Sequence, residues 1–150
     1  MQKSIILPKD ERIIIKYDIE NKPAVAVINK NLKDFDAKEV FAWSLTLDMY
    51  YDDMQEDGLP TDKEFNIIHD YLEELSGKII GDTTHPNALF LAREFWEGSC
   101  RLYMQVYSPD PVDEILKSII ENNSQPRPFE YKMEYDPEWT DGSWFLQDFK

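Results

Sequence analysis

Between Ala42 and Tyr135 the apolar residues follow two periods that alternate in a fixed order, and that order constrains the fold more than any other feature of the chain. Trp43, Leu45, Leu47 and Met49 alternate with Ser44, Thr46, Asp48 and Tyr50, the period of a strand with one buried and one polar face. Phe65, Ile68, Tyr71, Leu72 and Leu75 then recur at three- and four-residue spacing, which is a helical stripe. Residues 88–96 and 100–107 are strand-like and joined through Glu97-Gly98-Ser99, a hairpin link. Val112, Ile115, Leu116, Ile119 and Ile120 form a second helical stripe, and Phe129, Tyr131, Met133 and Tyr135 alternate with Glu130, Lys132 and Glu134. The order strand, helix, strand, strand, helix, strand predicts an α+β, two-layer ferredoxin-like sandwich: an antiparallel sheet with two helices on one face.

Punctuation residues set the expected boundaries. Two Ile/Val-rich runs meet at Asn21-Lys22, so an N-terminal β-hairpin is expected over about 11–29, followed by a polar connection to Val40. Thr61 and Glu64 read as a capping box at the start of the first helix, and Gly77 as its stop. Asp110 reads as the cap of the second helix, with Pro111 at its first position. The β-α-β-β-α-β body spans about 42–135, and the whole of 1–150 reads as one domain. The segment 136–150 holds Trp139, Trp144, Phe145 and Leu146, too many large apolar groups to remain in water, so it is expected to fold back over core.

With 30 acidic and 16 basic side chains the net charge is −14, a sign that repels phosphate backbones and anionic lipid; neither nucleic acid nor membrane is an expected partner. Residues 1–30 carry six basic and four acidic groups, or +2, which leaves −16 for the remainder. No apolar run approaches the ~20 residues that cross a bilayer, the N-terminal run is too short for a signal sequence, and Cys100 is the only cysteine, so the reading is a cytoplasmic protein without disulfides.

No nucleophile elbow, phosphate loop, paired-cysteine site or HExxH is present in the sequence, and no cofactor is expected. The stretch from Asp53 through Gly58 to Glu64 approaches a calcium loop, but Gln55 stands at its third position and Pro60 at its eighth, and a strand precedes it. His69 and His85 read as a solvated helix residue and a loop residue, and Cys100 as a small core residue. No catalytic or metal-binding residue is therefore assigned. The alternation puts Asp48, Tyr50, Tyr103, Tyr107, Glu130 and Glu134 on the sheet face away from the helices. Tyrosines rimmed by carboxylates there form a candidate protein-binding patch, unless a terminal segment covers it. The expected function is a non-catalytic protein-binding or regulatory module with a partner that is basic. The alternative is a small hydrolase using acidic residues in a cleft near Trp139.

The strand with Trp43, then Gly58-Leu59-Pro60-Thr61 with Glu64, Gly98 with Arg101 and Tyr107, and Asp136-Pro137-Glu138-Trp139 before a terminal aromatic run resemble the bacterial family known as domain of unknown function 695, over about residues 40–147. The chain departs from that pattern by a longer stretch between the first helix and Gly98. The resemblance implies a fold similar to the bacterial regulator of ribonuclease activity B, which acts by binding a protein.

Overall fold

The computed structural model describes residues 5–149. Strands β1 (Arg12–Ile19), β2 (Lys22–Asn29), β3 (Trp43–Tyr50), β4 (Ala88–Trp96), β5 (Ser99–Val106) and β6 (Phe129–Tyr135) form one sheet in the order β1-β2-β4-β5-β3-β6. Every neighbouring pair is antiparallel. Helix α1 (Asp62–Ile80) follows β3 and α2 (Pro109–Asn122) follows β5. Read from β3 onward, the strand order β4-β5-β3-β6 is the split βαβ arrangement of a ferredoxin-like sheet, and the N-terminal hairpin extends it beyond β4.

Both hairpins close through two residues with positive φ, Glu20-Asn21 and Glu97-Gly98, a geometry that matches the twist of the flanking strands. The first turn thus sits one residue earlier than the sequence suggested. Leu45, Leu47, Met49, Leu102, Met104 and Val106 pack with Ile68, Leu72, Leu75, Ile79, Val112 and Leu116 in the helix-side core. The inward set follows the predicted alternation, except that Ile120 of α2 lies exposed.

The helix ends differ from expectation. Gly77 lies inside α1, which continues until Gly81, because Ile79 has a buried place in the core. Helix α2 begins at Pro109 with Ser108 as its N-cap, so the caps shift from Asp110 and Pro111 to the preceding pair. Thr61 Oγ1 accepts from the Glu64 amide at 3.3 Å as expected, but the Glu64 carboxylate does not return the bond. It is buried against Arg127, at 2.6 and 3.0 Å, and the Thr61 amide donates to the Asp53 carbonyl instead.

The second face of the sheet carries its own core. Ala26, Ile28, Leu91 and Ala92 pack against Leu32 of the 3-10 turn Lys30–Asp34 and Phe35 that caps it, against Phe41, and against Trp139 and Phe145 of the C-terminal segment. A bulge between Phe90 and Ala92 puts Leu91 and Ala92 on this side together and returns Arg93 to the helix side.

Candidate functional site

The register brings the predicted surface residues into rows. Asp48 lies opposite Arg101 on one side and Glu130 on the other, Thr46 between Tyr103 and Lys132, and Ser44 between Gln105 and Glu134. Five of the six candidate residues thus arise from one sheet face, with Tyr107 one residue past the end of β5, but the C-terminal segment divides that face. Phe145 packs tilted against Tyr103 with ring centroids 4.8 Å apart, Ser44 is buried and donates to Asp141 at 2.8 Å, and buried Gln105 donates to the Phe41 carbonyl at 3.2 Å. Tyr103 is half-buried as a result, and burial raises its phenol pKa.

Beyond that cover the face is open. Arg101 grips Asp48 through two bonds, at 2.6 and 3.1 Å, and this bond to the carboxylate holds the guanidinium pKa above its usual value. Tyr50, 41% exposed, donates to Glu130 at 2.6 Å, and that hydrogen bond pushes its phenol pKa up to about 12. Lys132 pairs with Glu134 at 3.0 Å. The result is a flat polar strip on three bonded strands, with acids in excess. Tyr107, 61% exposed, lies apart from it: Tyr50 sits opposite Ser99, and eight residues of extended chain to Tyr107 span about 26 Å. The tyrosines therefore do not form one cluster. Arg101 and Lys132 were missed as members of the strip, although their parity along β5 and β6 already placed them on that face.

The other residues singled out in the sequence have structural tasks. Cys100 is fully buried in the helix-side core, and burial pushes its thiol pKa up to about 12, the opposite of an activated nucleophile. His69 is half-buried rather than solvated: it stacks on Phe65 and its Nδ1 lies 3.1 Å from an Arg93 guanidinium nitrogen. In the calcium-like loop, Asp53 accepts from the Thr61 hydroxyl and Glu64 is held by Arg127. The Gly58 carbonyl accepts from the Gly98 amide at 3.0 Å and from the Tyr51 hydroxyl at 2.9 Å, locking this loop to the β4–β5 turn.

Trp139 lies in the core on the second face of the sheet. It is fully buried at φ +58°, and its indole N–H donates to the carbonyls of Lys38 and Phe41 at 3.0 and 2.9 Å. Asp136 holds that turn by accepting from the amides of Thr140 and Asp141 at 2.9 and 3.0 Å. A small apolar cavity of about 120 Å³ lies elsewhere, between Val25, Leu59, Phe65 and Phe95. Among the described residues no three or more His, Cys, Asp or Glu side chains group to hold a metal ion, and no helix is long and apolar enough to cross a membrane.

Fold and surface together define an α+β domain of ferredoxin-like topology, widened by a hairpin and half-capped by its own C-terminal segment. The chain belongs to the family of unknown function DUF695, whose model matches residues 14–147 and so includes most of the hairpin. No curated protein and no solved structure matches it.

Proposed function

We propose that this domain is a non-catalytic, cytoplasmic protein-binding module that engages a basic protein surface through the open strip of its sheet. One observation carries this reading: Asp48, Tyr50, Arg101, Glu130, Lys132 and Glu134 are side by side on three bonded strands beyond the edge of the C-terminal cover. A flat strip with an exposed tyrosine, charged on its rim, suits recognition of a macromolecule better than enclosure of a small substrate. The net charge of −14 favours a basic protein over nucleic acid. A regulator of another enzyme and an immunity-type protein are two forms of the same activity. A fold similar to the regulator of ribonuclease activity B, which the family resemblance implies, would agree with the first.

The test is capture from the lysate of the source organism at low and high salt, with Glu130→Lys/Glu134→Lys and Tyr50→Ala baits run beside the native protein. The expected result is a stoichiometric basic protein that is lost at high salt and from the substituted baits. A bait with no partner at either salt, or a partner indifferent to these substitutions, would overturn the reading.

A further inference from the structure

The sheet has a second interaction surface at its other end. Among the described residues strand β1 is terminal and pairs only with β2, and it is eight residues long with three consecutive isoleucines. A long edge of this kind is a template for another strand unless something blunts it. The two-residue turn after Ile19 makes Ile19 and Lys22 a hydrogen-bonded pair, and so in turn Tyr17, Ile15 and Ile13 bond inward to β2. The inward bond from the Lys30 amide to the Glu11 carbonyl, 2.9 Å, continues the same parity. The backbone N–H and C=O groups of Arg12, Ile14, Lys16 and Asp18 therefore point away from the sheet. Apolar groups flank this edge on both faces. Ile14 is 66% exposed on the helix side; Trp144 is 46% exposed on the other, its ring centroid 4.6 Å from that of Tyr17.

We infer that the occupant of this edge is β1 of a second copy, paired antiparallel about a two-fold axis at Ile15 to give a continuous twelve-stranded sheet. Two-fold symmetry makes the contact isologous, and the sequence of β1 selects the register. With Ile15 opposite Ile15, each Arg12 meets Asp18 of the other copy and each Ile14 meets Lys16, so no like charges face each other. The outward-pointing residues are then the hydrogen-bonded pairs, as the ladder requires. Centring on Ile14 would set Arg12 against Lys16, centring on Lys16 would set lysine against lysine, and centring on Tyr17, which also sets Lys16 against Asp18, would shorten the overlap within Arg12–Ile19 to the stretch from Ile15 onward. The other free edge lacks this complementarity: full overlap of β6 with itself places Lys132 against Lys132 and Glu130 against Glu134.

The test is sedimentation velocity over a concentration series with two variants. Asp18→Arg puts a cation opposite Arg12 of the second copy. Lys16→Pro removes an outward amide while leaving the ladder to β2, which that amide does not join. The expected result is a reversible dimer for the native chain and a dissociation constant raised at least about tenfold in each variant, with native circular dichroism. Register is read separately. Ile15→Cys should oxidise to a covalent dimer, since residues facing in a non-hydrogen-bonded pair lie within disulfide reach and Cys100 is buried. Asp18→Cys, six residues from its symmetry mate in this register, should not. A native chain monomeric at several hundred micromolar, a dimer unmoved by Asp18→Arg, or cross-linking at Asp18→Cys instead of Ile15→Cys would each overturn the proposal.

Discussion

Glu73 has a larger part in the fold than its position on the rim of α1 suggests. It binds the guanidinium of Arg93, which is only 1% exposed, at 2.5 Å, and also that of Arg12, and both cations lie over the Phe90 ring. Burial alone would raise its carboxyl pKa, but the two guanidinium groups outweigh burial and hold it below the usual value. Because the folded pKa is depressed, the associated stability is present above the unfolded pKa and is lost as pH falls through the folded one. Glu73→Gln should therefore flatten the acid limb of a plot of urea-melt stability against pH, while changing the alkaline side only by a constant offset. At neutral pH, Glu73→Ala should cost about 1–3 kcal/mol, because it leaves Arg93 buried with a lost partner while solvent at the half-exposed carboxylate screens the pair, whereas joint replacement of Arg93 and Glu73 by apolar residues should cost less. Tyr103→Ala should cost about 1–3 kcal/mol in the same melt through lost packing on Phe145, and a Tyr50→Ala/Tyr107→Ala pair should stay near native. Parity in the sequence placed Tyr50 and Tyr103 on one face. It carried no signal for the partners of Arg93 or Glu64, since such pairs depend on which elements meet across 20 and 63 residues.

At the scale of elements, the glycine inside α1 and the one that caps it give opposite tests. Gly77 sits within the helix, and an added Cβ would meet nothing within 4 Å; Gly77→Ala should raise stability by about 0.5–1 kcal/mol. Gly81 ends the helix at φ +72° and ψ −131°, a conformation nearly closed to other residues, so Gly81→Ala should destabilise by more than the first change stabilises. Calorimetry on the two variants reads both signs. The sequence reading stopped the helix at the wrong glycine because a stop signal was weighed without knowing that Ile79 would have a buried site. The six strands and two helices were legible because periods of two and 3.6 are local. The bulge in β4 was not, since Leu91-Ala92 reads as part of a continuous apolar run whether or not the parity changes between Phe90 and Arg93. The aromatic content of the C-terminal segment showed that it must be buried, but nothing local told which half of the sheet it would cover.

For the whole molecule, the open strip on β3, β5 and β6 and the free edge of β1 lie toward opposite ends of one sheet, so self-pairing through β1 leaves the strip accessible on both copies. A dimer would then present two strips on one rigid body, and a partner with repeated sites would be held more tightly than by either strip alone. The strip and the dimer edge also differ in character. Raising salt should weaken partner capture through the charged strip much more than dimerisation, which adds backbone hydrogen bonds and Ile14 to its charge pairs; sedimentation and capture at matched ionic strength check this. The two faces of the sheet differ as well in when they can close. The helix-side core is built within the β-α-β-β-α-β body, whereas the second face closes only when Trp139, whose indole bonds reach back 98 and 101 residues, packs under the C-terminal cover. Contacts of such range are slow to form and fit a transition state in which the C-terminal cover is still unmade. Trp139→Phe should thus speed unfolding while leaving the refolding rate almost unchanged in stopped-flow chevrons. The boundary of the open strip would then be the last part of the surface to take shape, and an incompletely folded chain would expose a wider and more apolar face than the one its partner is built to meet.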